Sequence, residues 1–249
     1  MSKVLVIPDI HCRNFWEKPC EEWDGEIVFL GDFFDPYPQE KIENPYENAR
    51  KAIKFILKNK ERVTIIPGNH DLHYIFEKEG FIQGSRFCRD KEPRQLLQKI
   101  KELFKGALIK DDVIFSHAGI SEDWAYSFLD EFMKRDVSSL LNCDCVLETA
   151  EILQDTPLTN YNQEYIQALS MIGFERGGIE PCGSCVWADV SEHFTIKMSG
   201  FSPKYYSKYQ IFGHTWLKNP IIHDWWACLD CGGKAFIVDT ETREIKEYV

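Results

Sequence analysis

Five short stretches of this 249-residue chain bring together residue types that bind cations or move protons. They are Asp9-Ile10-His11, Gly31-Asp32 with Asp35 three residues on, Gly68-Asn69-His70-Asp71, Ser116-His117 and Gly213-His214. Any one of them reads as an ordinary polar turn, because Asp, Asn and Gly favour turns for backbone reasons. The set reads differently. Carboxylate, amide oxygen and imidazole suit borderline divalent cations such as manganese, iron or zinc. Two such cations about 3.5–4 Å apart can clamp the attacking and leaving oxygens of an in-line displacement. Asp32, central in the series, is the natural shared ligand. Three of the stretches place glycine just before the candidate ligand, where a tight path and close backbone approach are needed.

The elements that must position these residues are short apolar runs: VLVIP at 4–8, EIVFL at 26–30, RVTIIP at 62–67, DVIFS at 112–116, YQIFG at 209–213, WWACLD at 225–230 and KAFIVDT at 234–240. Continuous apolar runs of this length predict strands buried on both faces. Each of the first five leads into one of the chemically equipped stretches, and ligands of α/β sheets gather at the carboxyl ends of strands. Between the second and third runs, Ala49, Ile53, Ile56 and Leu57 recur at helical spacing. A further helix is predicted over PRQLLQKIKELF at 93–104, after a turn-like GSRFCRDKEP. Residues 121–172 carry helical patterns in SEDWAYSFLDEFM and NQEYIQALSMI and few strand signals. The expectation is an α/β fold, one domain over 1–249, with a helical insertion at about 121–172.

Composition narrows the partners. Net charge is −11, so a large nucleic-acid interface is not expected, while a small phosphorylated substrate is compatible because bound cations reverse the local field. No run approaches the roughly 20 apolar residues of a membrane span. The N-terminal MSKVLVIPDI lacks the pattern of a secretory signal, and a cytoplasmic protein is expected. Nine cysteines form no expected disulfide framework in that setting. Cys182-x-x-Cys185 and Cys228-x-x-Cys231 could hold a structural zinc, but their separation exceeds ribbon spacing, and buried apolar packing is the favoured reading. Cys12 lies between two candidate ligands, where a reactive thiol is conceivable.

In their order, the stretches Asp9-x-His11, Gly31-Asp32-x-x-Asp35, Gly68-Asn69-His70-Asp71, Ser116-His117-Ala118-Gly119 and Gly213-His214 resemble the calcineurin-like metallophosphoesterases. The resemblance implies a four-layer α/β/β/α sandwich and a two-metal phosphoric ester hydrolase, with manganese the ion expected to support activity in vitro. It implies that Asp9, His11 and Asp32 hold one metal and Asp32, Asn69, His117 and His214 the other, with a hydroxide between them as nucleophile. His70 would then assist the leaving oxygen, and Asp35 would orient its imidazole and raise its pKa. Asp71 is left with helix capping.

Within the family, Trp216 stands where many phosphodiesterases have a second histidine, which resembles the phosphoprotein-phosphatase branch. Val186-Trp187-Ala188-Asp189 and Leu229-Asp230-Cys231-Gly232-Gly233-Lys234 look like blocks of the same branch. That branch often has arginines after the position of Asp35 and before Gly68; here Pro36-Tyr37 and Pro67 stand there. Such arginines grip phosphate through two parallel hydrogen bonds. Arg176 in ERGGIEP is the proposed substitute, and Arg86, Arg89 and Arg94 are read as surface charges. The expected substrate is a phosphoprotein or small phosphate monoester. A dinucleoside polyphosphate, or a phosphodiester or nucleic acid cut at the same site, is the alternative. Oligomeric state is not legible.

Overall fold

A computed structural model describes residues 2–76, 91–140, 143–194 and 207–249. Its strands are β1 (Lys3–Ile7), β2 (Glu26–Phe29), β3 (Val63–Ile65), β4 (Leu108–Lys110), β5 (Val113–Phe115), β6 (Tyr209–Phe212), β7 (Ile221–Ile222), β8 (Trp226–Cys228), β9 (Phe236–Asp239) and β10 (Ile245–Glu247). They form two sheets, in the orders β10-β9-β1-β2-β3 and β4-β5-β6-β8-β7. The inner strands of each sheet are parallel: β1 with β2, β2 with β3, β5 with β6, and β6 with β8. Antiparallel strands occupy the flanks.

Side chains alternate across a strand, so a strand buried on both faces feeds two cores. From β1, Val4 and Val6 pack with Val28, Leu30, Phe115, Ile211 and Val238 between the sheets. Leu5 and Ile7 face the other way, into a second core with the helix over Pro45–Lys58. The helices are α1 (Glu17–Glu22), α2 (Pro45–Lys58), α3 (Asn69–Phe76), α4 (Lys91–Leu97), α5 (Glu122–Ser127), α6 (Val137–Leu140), α7 (Cys145–Asp155) and α8 (Gln163–Leu169). That second core also takes Ile114 of β5 together with Trp124, Ala150 and Leu153 of α5 and α7. Helices thus cover the outer faces of two facing sheets, the expected α/β/β/α sandwich. The regular elements described between 122 and 169 are helices and helical turns, three of them capped at Ser121, Asp144 and Asn162 by side chains that accept the backbone N–H three residues on.

Two local expectations shift. In α2 the buried face is Ala49, Ala52, Ile53 and Ile56, whereas Leu57 is 43% exposed. At about 100° per residue Leu57 falls past the edge of the arc those four define. The helix predicted over 93–104 stops at Leu97; a short helical turn follows at Lys101–Leu103, and Phe104 then bridges to Ile65. Pairing of Phe104 beside β3, with Lys105 N–H donating to Ile65 O at 3.0 Å, draws the chain out of helical geometry. The flanking strands β4, β7 and β10, two or three residues each, lie outside the apolar runs that mark the other strands.

Candidate metal centre and catalytic site

The loops after β1 and β2 stay hydrogen-bonded to each other beyond the strands, but no longer as a β-ladder. Ile10, His11 and Cys12 donate their N–H groups in turn to the carbonyls of Gly31, Asp32 and Phe33 at 3.3, 2.7 and 3.0 Å. His11, Cys12, Asp32, Asp35 and His214 all have positive φ, from 44° to 66°. Such conformations cost non-glycine residues about 1–3 kcal/mol each and persist only where the surroundings over-determine them. Part of that hold comes from Asp71, which is fully buried. One of its oxygens accepts from Asp32 N (2.8 Å) and Gly68 N (3.0 Å), and the other from Phe33 N (3.1 Å). Asp71 therefore does more than the expected capping. From the first turn of α3 it reaches back to Gly68, as in a capping box, and also clamps the Asp32 loop. Burial, against these hydrogen bonds, pushes its carboxyl up to about 7.

The glycines before the ligands are sterically required. A Cβ on Gly68 would overlap the Asp32 carboxylate and lie 2.7 Å from His117 Cε1. A Cβ on Gly213 would overlap Asp9 Oδ1, and one on Gly31 would meet the backbone of Gly68.

The side chains so positioned point lone pairs at one another. His117 Nδ1 donates to Leu30 O at 2.6 Å, which leaves the Nε2 lone pair of the neutral ring facing inward. Around that nitrogen lie His214 Nδ1 at 3.1 Å, Asn69 Oδ1 at 3.2 Å and Asp32 Oδ2 at 3.6 Å. At most one of these contacts, through a proton on His214, is a hydrogen bond; the others set acceptor against acceptor. His11 repeats the arrangement. Its Nδ1 donates to Phe34 O at 2.8 Å, and its Nε2 faces Asp32 Oδ2 at 3.6 Å and Asp9 Oδ2 at 3.9 Å. Asp32 Oδ2 is thus equidistant from two imidazole nitrogens, while its Oδ1 accepts from His70 N at 3.0 Å.

Ligand atoms of Asp9, Asp32, His117 and His214 all lie within 4.8 Å of one another, and all four residues are buried. Burial, and for His214 the nearby Arg176 and the other imidazoles, drives His117 and His214 below the usual imidazole range, which keeps their lone pairs available. Asp9 Oδ2 and His214 Nε2 have no hydrogen-bond partner among the described residues. A buried array of converging acceptors is costly without positive charge and fits divalent cations.

Beside this array, His70 Nδ1 meets Asp35 Oδ2 at 2.7 Å, and the His70 ring stands edge-on to His11 with centroids 5.3 Å apart. Tyr74 O–H donates to the other Asp35 oxygen at 2.6 Å. Tyr74 belongs to none of the five stretches, although its spacing of four from His70 places it on the same face of α3.

Arg176 lies at the rim. It donates from Nη2 to Thr215 Oγ1 at 2.6 Å, next to His214, and its Nε lies 3.0 Å from Asp189 Oδ2. Arg13 was also overlooked, though Asp9-x-His11-x-Arg13 puts it within one turn of two ligands. It forms a forked pair with Glu40, donates to Asp9 O at 3.2 Å and stacks on Tyr37. Arg94 is not a free surface charge, since its Nε donates to Tyr74 O at 3.2 Å. Arg86 and Arg89 lie outside the described residues.

The four cysteines of the paired motifs are not gathered. Cys182 and Cys185 belong to the helix-side core, Cys231 to the core between the sheets, and Cys228 packs with Phe212 and Trp226. Burial pushes Cys182 up to about 12 and Cys231 to about 11, the behaviour of small apolar side chains. Cys12 is fully buried.

Comparison with known proteins bears on the fold and the family. No curated protein sequence matches the chain. Among solved structures, the cold-active protein-tyrosine phosphatase of a psychrophilic Shewanella is similar at a TM-score of 0.57 and 13% identity, over 98% of this chain and 80% of that one. A protein serine/threonine phosphatase from Saccharomyces cerevisiae, with similarity to human phosphatase PP5, is similar at a TM-score of 0.50 and 13% identity, over 99% and 79%. At such identities the likeness establishes the fold. Residues 2–216 match the calcineurin-like phosphoesterase family. The chain therefore belongs to the calcineurin-like phosphoesterases and is a phosphoric ester hydrolase.

Proposed function

We propose that this chain is a phosphomonoesterase dependent on two divalent metal ions, manganese serving in vitro. One observation carries the reading: Asp32 Oδ2 stands 3.6 Å from both His11 Nε2 and His117 Nε2, so one carboxylate oxygen is shared by two lone-pair pockets. Asp9, His11 and Asp32 would hold the first cation. Asp32, Asn69, His117 and His214 would hold the second. Bound there, the cations supply Lewis-acid charge to the phosphoryl oxygens and lower the pKa of a water.

The chain's own residues do the rest. Asp35, held by Tyr74, fixes the His70 imidazole, and His70 delivers a proton to the leaving oxygen. Arg176 grips the phosphate, for which it exchanges its pairing with Asp189. In this reading residues 1–249 are one domain whose helical insertion at about 121–172 flanks the cleft. The substrate is a phosphoprotein or a small phosphate ester, and the absence of a second histidine at Trp216 supports the monoester over the diester.

The test is hydrolysis of an aryl monophosphate by chelated and manganese-loaded protein. Activity should require the metal and fall by about a hundredfold or more in Asp32→Ala and His70→Ala. Full activity in the chelated protein would overturn the reading. Faster turnover of a bis-aryl phosphate would transfer it to the phosphodiesters, and a strong preference for diadenosine tetraphosphate to the dinucleoside polyphosphates.

A further inference from the structure

We propose that Asp230 is an additional carboxylate ligand for the cation on the Asp9–His11 side of the centre; the inference rests on the two-metal reading above. Three neighbouring parallel strands of the second sheet each deliver a residue two positions past their last strand residue. β5 ends at Phe115 and delivers His117, β6 ends at Phe212 and delivers His214, and β8 ends at Cys228 and delivers Asp230. Phe212 pairs with Cys228 across the sheet, so His214 and Asp230 emerge in register. Leu229 N–H donates to Phe212 O at 2.8 Å, which extends that register beyond the strands.

Asp230 is 1% exposed, and neither of its carboxylate oxygens has a hydrogen-bond partner among the described residues. Its neighbour Asp9 is equally buried and also has an unpartnered oxygen. The two side chains flank the same side of Gly213: a Cβ built there would overlap Asp9 Oδ1 and lie 3.7 Å from Asp230 Cβ. Two buried carboxylates side by side with unpartnered oxygens require a cation or a shared proton. Arg13 and Arg176 both act on Asp230, but one is committed to Glu40 and the other to Thr215 and Asp189. In this proposal a cation held also by His11 and Asp32 would neutralise both carboxylates.

The experiment titrates metal-free wild type and Asp230→Asn with manganese, followed by calorimetry and by the electron paramagnetic resonance of free Mn²⁺. Wild type should bind two equivalents. Asp230→Asn should keep one unchanged and bind the other at least about tenfold more weakly. A His117→Asn control should weaken the opposite site. Two equivalents in Asp230→Asn within twofold of wild type would overturn the inference and leave the two-metal reading standing, as would loss of both equivalents in a variant that melts cooperatively. Wild type without manganese affinity would overturn both. Should Asp230→Asn not fold, Asp230→Ser takes its place, with the same outcomes deciding.

Discussion

His70 shows how one side chain is given a single task by its neighbours. Its backbone N–H is used on Asp32 Oδ1, its Nδ1 on Asp35, and Asp35 is held in turn by Tyr74. In the proposed reaction the opposite edge of the ring carries the proton to the leaving oxygen. Replacing Tyr74 with Phe deletes one hydrogen bond to a buried carboxylate, an interaction typically contributing about 1.5–3 kcal/mol. The expected outcome is a kcat lower by about tenfold, equivalent to about 1.4 kcal/mol of transition-state positioning, with KM unchanged because Tyr74 acts through Asp35. Steady-state kinetics on an aryl phosphate checks this; a kcat within twofold of wild type would show that Tyr74 has no positioning role.

At the scale of elements, α3 and the β2 loop are joined through Asp71. Asp71→Asn would turn an amide N–H₂ toward backbone N–H groups that now donate to the carboxylate. We expect a loss of about 2–4 kcal/mol in urea unfolding and weaker manganese binding in the same variant. Unfolding midpoints matching wild type would remove the clamp from the account. A second element, the helical turn Val190–Phe194, packs His193 against Phe212 with Nε2 donating to Ala118 O at 3.0 Å. Burial pushes this imidazole down to about 4. Its folded pKa lies below the unfolded value of about 6.5, so its contribution is intact above pH 6.5 and is lost as pH falls toward 4. Allowing for partial exposure, the loss should be about 2 kcal/mol. His193→Gln keeps a donor for Ala118 and should flatten that part of the pH dependence. Urea midpoints of both proteins in excess chelator, compared at pH 7 and pH 4.5, measure it; parallel profiles would exclude His193 as the source.

For the molecule as a whole, the two sheets face each other so that their carboxyl ends converge on one buried array of acceptors. In the two-metal reading that array would destabilise the metal-free fold and stabilise the loaded one. With free manganese at about 100 times its dissociation constant, each site should add about 2.7 kcal/mol, which for a domain of this size raises Tm by about 5–10 °C. Differential scanning calorimetry with manganese and with chelator gives the comparison, and equal Tm values would mean that the array does not bind the ion. Among the described residues no helix is long and apolar enough to cross a membrane, and the work of the fold goes into this convergence.

The sequence by itself determined the types of the candidate ligands, their order and their placement at strand ends, because strand period, turn chemistry and donor chemistry are local properties. It also marked Gly31, Gly68 and Gly213, although the reason lies in the fold: their missing Cβ atoms would fall on the backbone of Gly68, on Asp32 and His117, and on Asp9, respectively. The tertiary structure decided what depends on distance between remote segments. It made Asp32 Oδ2 common to His11 and His117, turned Asp71 from a cap into a clamp across a gap of 39 residues, and brought Tyr74 to Asp35. It dispersed the paired cysteines among separate cores and aligned Asp230 with His214 through strand register. Register and close approach arise from packing two sheets together, and no run of neighbouring residues encodes them alone.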